Sequence, residues 1–265
     1  MRAALALARR EFVRFFRQPS RVVGAVAPPL LMWALVGSGF SGSFRGDSFA
    51  YFFPGTVVLV VLFASVFSTI SVIEDRREGF LQAVLVAPVG PASIVLGKVA
   101  GGTLLGFLQG AVLLVLVPAL DLAWSPPALL GALGVLLLLS FALTSLGFTI
   151  AWSLESTQGF HAVMNLFLIP MWLLSGSFFP IDGAPAWLRM TMAANPLTYG
   201  VAALRRALGG VTASLPSLGL SLCVTAVSAL VLFGLACAVV ARNPSGPDRS
   251  TRRARGTAAP GREAR

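Results

Sequence analysis

Polar and apolar positions segregate along this chain into six long apolar stretches that contain no Asp, Glu, Lys or Arg. They run over Val22–Phe40, Phe53–Ile73, Val99–Leu120, Leu122–Leu154, Ala162–Ile181 and Leu208–Ala241. A bilayer core takes roughly 20 apolar residues per helix, and uncharged runs of that length read as membrane-spanning helices. The pattern predicts an all-α integral membrane protein with six transmembrane helices. Every charge falls at an end or in a connector, so function is sought there.

Before the first stretch, residues 3–18 predict an amphipathic helix. At 100° per residue Leu5, Ala8, Phe12, Phe15 and Phe16 gather in one arc, with Arg10, Arg14 and Arg17 on the far side. Such a helix lies in the headgroup plane with its Arg residues toward phosphates, as an anchor or as a docking element. Gln18-Pro19-Ser20 ends it, because the residue before proline disfavours helix. Pro28-Pro29 predicts that the first span is kinked or begins late. The aromatic cluster Phe49–Phe53 reads as an interface belt.

The segment Ile73–Pro88 opens with five charges in a row, Glu74, Asp75, Arg76, Arg77 and Glu78. Phe80, Leu81, Val84 and Leu85 then recur at helical spacing, and Pro88, Gly90 and Pro91 close the segment. A solvated loop needs no apolar stripe, so this predicts a short amphipathic helix able to dock a partner. The third span should start near Ile94, with Ser93 as cap. Gly102, Gly106 and Gly110 have the small-xxx-small spacing that lets helices approach closely. Between the fifth and sixth stretches, Phe178–Gly200 is too broken by Pro and Gly to span and too apolar for a free loop. Short interfacial or re-entrant helices fit it. Residues 242–265 are Arg-, Pro-, Gly- and Ala-rich and predict a disordered basic tail. The domain reading is therefore 1–21 as a connecting amphipathic helix, 22–241 as the transmembrane domain, and 242–265 as the tail.

Charge sets the orientation. Of the 20 basic residues, 16 lie in residues 1–21, in the loop 74–98 or in the tail, which places both termini in the cytoplasm by the positive-inside rule. The net charge of +10 meets anionic lipid rather than nucleic acid. Cys223 and Cys237 are 14 residues apart on one predicted helix, about 21 Å and too far for a disulfide.

Several chemistries are missing. No phosphate-binding GxxxxGK[ST] loop exists, since Gly97-Lys98 is followed by Val99. One His cannot build a multi-His metal site, and His161 reads as an interfacial hydrogen bonder. No carboxylate lies inside a stretch, which weakens an intramembrane enzyme or an ion-coupled secondary transporter. No metal or cofactor is expected. The chain shows no energy source of its own, which favours a partner-driven machine, with an ion-coupled secondary transporter or a non-transporting membrane scaffold as the alternatives.

Two connectors carry a resemblance: EDRREGFLQAVLVAPVGPASIVLGK over Glu74–Lys98 and LSGSFFPIDGAPAWLRMTMAANPLTYGVAALRRAL over Leu174–Leu208. Together they resemble the ABC-2 type transporter permeases, in particular the bacterial drug- and polysaccharide-exporter branch, across residues 5–240. The resemblance implies a homodimeric permease in a bacterial plasma membrane, associated with two copies of a separate ATP-binding subunit. It implies a coupling helix over Glu74–Ala87, beside an N-terminal helix over Leu5–Arg17. Glu74, Asp75, Arg76, Arg77 and Glu78 would make its polar contacts with the ATPase, and Phe80, Leu81 and Leu85 its apolar ones. Pro180–Tyr199 maps onto an extracellular cap. Spans two and five would line the path, which nominates Phe63, Phe67, Asn165, Phe167, Met171 and Trp172, with Phe178 at an apolar outer gate. An uncharged polar residue in mid-span, Asn165 implies either an interhelical hydrogen bond or a substrate contact.

Overall fold

The computed structural model describes residues 5–11, 19–40, 48–79, 91–120, 122, 124–178, 184–210 and 216–243. All regular structure among them is helical: α1 (5–11), α2 (Pro19–Phe40), α3 (Ser48–Ser68), α4 (Ile70–Arg77), α5 (Pro91–Leu113), α6 (Pro126–Ser153), α7 (Thr157–Trp172), α8 (Ala186–Ala194), α9 (Pro196–Ala207) and α10 (Leu218–Arg242). Five helical runs are long and apolar enough to cross a bilayer: Ser48–Arg77, Ala92–Leu120, Pro126–Ser153, Thr157–Ser177 and Leu218–Arg242. The first predicted stretch lies on α2, which is not among these five. Among the described residues there are thus five candidate spans where six were expected.

Helix ends follow local chemistry. Pro19 begins α2, which continues through Pro28 and Pro29 without a late start. The fourth predicted stretch becomes α6, entered by Pro126 after Ser125, whose hydroxyl accepts from the Ala128 N–H. Ser156 caps α7 in the same way, accepting from Gly159 at 2.9 Å, so the fifth helix starts five residues before the predicted Ala162. The sixth starts late, at Leu218, because Gly209 (φ 81°) follows the end of α9 and Ser217 caps the new helix. Pro118 has no N–H to continue the α ladder, and the third span finishes as a 3-10 turn over Leu114–Leu120.

The second span is the axis of the bundle. Its hydrophobic window is 83 % buried against 22 % for α10, which marks α3 as central and α10 as peripheral. Around α3 pack α2, α5 and α6, while α10 lies against α6 and α9. The close approach predicted from glycine spacing is present, since α5 wedges between α3 and α6. A Cβ on Gly102 would lie 2.3 Å from Ser68 Oγ, and one on Gly110 would lie 2.5 Å from Val61 Cγ2. Ser68 and Thr69 donate their hydroxyls back to the carbonyls of Ser65 and Val66, and the helix breaks there before resuming as α4.

Four sequence expectations change. The charges Glu74–Arg77 do not open a new helix; they finish α4, the continuation of the second span, and Gly79 at φ 77° follows. The third span begins at Pro91, so Ser93 lies inside it rather than at its cap. In α1 the buried face is Leu7 and Glu11, whereas Leu5 is exposed. Arg10 turns inward instead of toward phosphates. Phe12, Phe15, Phe16, Phe80, Leu81, Leu85 and the tail from residue 244 on lie outside the described residues.

Candidate coupling site

The charged end of the bundle is organised around Asp75. Its side chain is completely buried on the last turn of α4. Arg10 of α1 grips it with both terminal nitrogens, Nη1 to Oδ2 at 2.8 Å and Nη2 to Oδ1 at 2.9 Å. This two-pronged geometry is the strongest that an arginine and a carboxylate make. Lys98, two turns inside α5, donates to the same carboxylate, to Glu11 Oε1 at 2.5 Å and to Ser71 Oγ at 3.4 Å. Two cations and two anions from three elements therefore neutralise one another. The Asp75 hydrogen bond holds the Arg10 pKa above its ordinary value. Gly101 completes the fit: a Cβ there would meet Glu11 Cβ at 2.8 Å, so a bare backbone lets α1 sit down on α5.

Arg76 faces the other way. Its Nη2 donates to the Trp152 carbonyl at 2.8 Å and its Nη1 to Leu154 at 3.1 Å, while its guanidinium lies 5.1 Å from the centre of the Trp152 ring. A cation on the last carbonyls of α6 complements the helix dipole. The Trp152 indole donates in turn to Asn243 at 3.0 Å, extending the tie to the end of α10. Arg77 donates to the Glu155 carbonyl at 3.1 Å and is otherwise exposed. The five consecutive charges thus divide. Asp75 and Arg76 are used inside the chain, Arg77 and Glu78 face outward, and Glu74 is half-buried.

The path candidates fall into three places. Phe63 and Phe67 are half-buried on α3 with ring centres 5.2 Å apart, and Phe67 lies 5.1 Å from the His161 ring. Phe167 and Met171 come together on an open apolar groove of about 730 Å³, with Leu146 and Ile150 opposite and Thr191 and Asn195 at its polar end. Trp172 is buried, donates to the Gly55 carbonyl at 2.8 Å and packs against Phe178. Asn165 is exposed on α7, and no hydrogen bond involves it among the described residues.

The ABC-2 type transporter description matches residues 2–209, which covers both connectors and the whole joint around Asp75. The chain belongs to the ABC-2 type transporter family. It is similar to Nodulation protein J of Rhizobium leguminosarum bv. trifolii, 29% identical over 209 residues, 76% of this chain and 79% of that one. The Daunorubicin resistance ABC transporter permease protein DrrB1 of Streptomyces coeruleorubidus is 24% identical over 243 residues, 82% and 78% of the two chains. A Putative transport permease ycf38 of Cyanophora paradoxa is 27% identical over 207 residues, 75% and 71%. This ABC-2 chain is accordingly a multi-pass transport permease subunit, of a family that works with an ATP-binding subunit.

Sequence reasoning missed Glu11 and Lys98, and it misplaced Arg10. A usable signal existed for Lys98, the sole lysine of the chain. Starting the third helix at Pro91 puts it two turns inside an apolar helix, where an ammonium needs a carboxylate.

Proposed function

We propose that this permease is the membrane half of an ATP-driven exporter. Two copies pair around the translocation path, and two copies of a separate ATP-binding subunit dock on the charged end. The observation that carries the reading is the joint of Arg10, Glu11, Asp75 and Lys98, which makes α1, α4 and the start of α5 one body. A push on the loop that follows α4 reaches the central span directly through it. Arg77 and Glu78, exposed beside that loop, offer the polar part of the docking surface, and Phe80, Leu81 and Leu85 the apolar part.

On this reading α2 also spans the membrane, as the first of six spans, both termini are cytoplasmic, and the membrane is a bacterial plasma membrane. The domain boundaries stay at 1–21, 22–241 and 242–265. Phe63, Phe67, Asn165, Phe167, Met171 and Trp172 face or support the path, with Phe178 at its outer gate. The relative named for daunorubicin resistance supports export of a hydrophobic or amphipathic cargo, drug-like or glycan-linked.

Affinity purification of the tagged chain in mild detergent tests the proposal. Wild type should bring down a stoichiometric ATP-binding subunit, and Leu81→Asp should lose it at an unchanged membrane level. Glu74→Ala should keep ATP hydrolysis while lowering export. Recovery by Leu81→Asp equal to wild type would remove the loop as the docking site. Wild type recovered alone would count against the exporter itself.

A further inference from the structure

At the end of the bundle opposite Asp75, two helices expose backbone acceptors, and one buried arginine serves both. The first is α3, where Pro54 in the second turn cannot donate to the Ala50 carbonyl. Nearby carbonyls accept from side chains of other elements: Phe49 from the Trp33 indole at 3.0 Å and Gly55 from the Trp172 indole at 2.8 Å. The second is the end of the fifth span, which widens into a π-helical turn over Leu173–Ser177, with Gly176 at φ 78°. There the Met171 carbonyl accepts from Asn195 Nδ2 at 2.6 Å, Leu174 from Thr198 Oγ1 at 3.4 Å and Gly176 from Arg205 Nη2 at 3.3 Å. Asn195, Thr198 and Arg205 fall within about 80° on one side of the following helix, so α9 caps the broken turn with a single face.

Arg205 differs from the other two. Its Nη2 also reaches the Tyr51 carbonyl at 3.4 Å, and its guanidinium lies 4.6 Å from the centre of the Tyr51 ring. It is 6 % exposed, its Nε has no partner, and no carboxylate pairs with it among the described residues. Burial lowers the pKa of this guanidinium, which stays protonated regardless. Among the described residues this dehydrated cation meets no carboxylate and is held by carbonyl dipoles at the long edge of hydrogen-bond distance and by the side chain of Tyr51. Such contacts are specific in direction and easy to part.

We propose that Arg205 is a positioning residue for transport, a releasable clamp. It pins the end of the fifth span, at Gly176, to the start of the second, at Tyr51, in the conformation seen here, and its release lets the outer ends of the two spans part. This rests on the exporter reading for the assignment of "outer" and for the need to open. When the two spans part, the guanidinium loses one carbonyl and keeps the other, so closure requires no new partner.

The test uses the full chain with Cys223→Ser, Cys237→Ser and a reporter Ser175→Cys, a buried position inside the π-helical turn. Labelling by a membrane-impermeant maleimide is timed in right-side-out and inverted vesicles. With Arg205 intact, labelling should be slow and rise during ATP turnover. Arg205→Gln should raise the resting rate at least tenfold and remove its response to ATP, at unchanged thermal stability. Arg205→Lys, which keeps the charge on a shorter side chain without the planar guanidinium over the Tyr51 ring, should fall between. Equal rates in all three, or a loss of thermal stability that accounts for the faster labelling, would overturn the clamp. Absence of both Arg205 variants from the membrane would also overturn it, since the residue would then serve assembly. The side from which label enters reports on the exporter orientation, and the ratio of rates reports on the clamp, so either can fail alone.

Discussion

The two ends of the Ser48–Arg77 span solve one problem in opposite ways. At the Asp75 end, two cations and two carboxylates from α1, α4 and α5 cancel in a buried cluster with contacts of 2.5–2.9 Å. At the Tyr51 end, a single buried cation meets no carboxylate among the described residues, and contacts carbonyls at 3.3–3.4 Å and the Tyr51 side chain. Breaking a buried ion pair strands a charge, whereas parting a guanidinium from a neutral carbonyl leaves no bare opposite charge behind. The first arrangement resists separation and the second permits it. A span that transmits force needs that asymmetry, stiff where it is pushed and loose where it must yield.

The sharpest way to break the comparison is to remove the shared carboxylate. Asp75→Leu leaves Arg10 and Lys98 facing one anion, Glu11, and should cost about 3–5 kcal/mol, the range for stranding a buried charge. Thermal unfolding in detergent, followed by exposure of the α1 segment to protease, measures it. Asp75→Leu with Lys98→Met restores one cation to one anion and should recover part of the loss. Strict additivity of the two single changes would mean that the four charges do not act as a unit.

At the other end the backbone itself is the vulnerable part. Gly176 sits at φ 78°, so Gly176→Ala should cost roughly 1–2 kcal/mol from the left-handed conformation alone. The loss should fall on the π-helical turn, seen as faster hydrogen exchange over residues 173–177, with the Asp75 cluster undisturbed. Exchange that rises equally at both ends would make the bundle one cooperative block and erase the distinction. A smaller effect belongs to Arg76→Met, which removes the cation over Trp152 and the donors to the end of α6. It should cost about 1–2 kcal/mol, the scale of a charged hydrogen bond with a partly buried cation–π contact, and loosen the 153–156 turn.

Much of this was legible in the sequence, and the limits have physical causes. Five spans announced themselves because bilayer thickness and charge exclusion act on each segment alone. Gly102 and Gly110 were readable as sites of close approach because spacing on one helix sets a face, although which helices would meet there was not. The joint was only half visible. Asp75 stood out in a charge run, but Glu11 and Lys98 lie 64 and 23 residues away from it, and pairing across such distances has no local signature. Arg205 looked like one more loop cation beside Arg206. It packs against the turn over Leu173–Ser177, and that break cannot be placed from periodicity.

The smallest expected change in stability is also the most informative about function. Arg77 and Glu78 are exposed, and Arg77 donates to a turn carbonyl rather than to the cluster. Arg77→Ala with Glu78→Ala should therefore move stability by no more than about 0.5 kcal/mol, as surface changes away from buried features do. Recovery of the ATP-binding subunit should nonetheless fall several-fold, and further as salt is raised from 50 to 300 mM, because rim charges act through screened attraction. Asp75→Leu makes the complementary case: it should weaken docking in proportion to the loss of α1 and little with salt. If the surface pair proves neutral for docking while Asp75→Leu abolishes it, the buried joint is what the partner senses, and the stiffness of this end matters more than its surface.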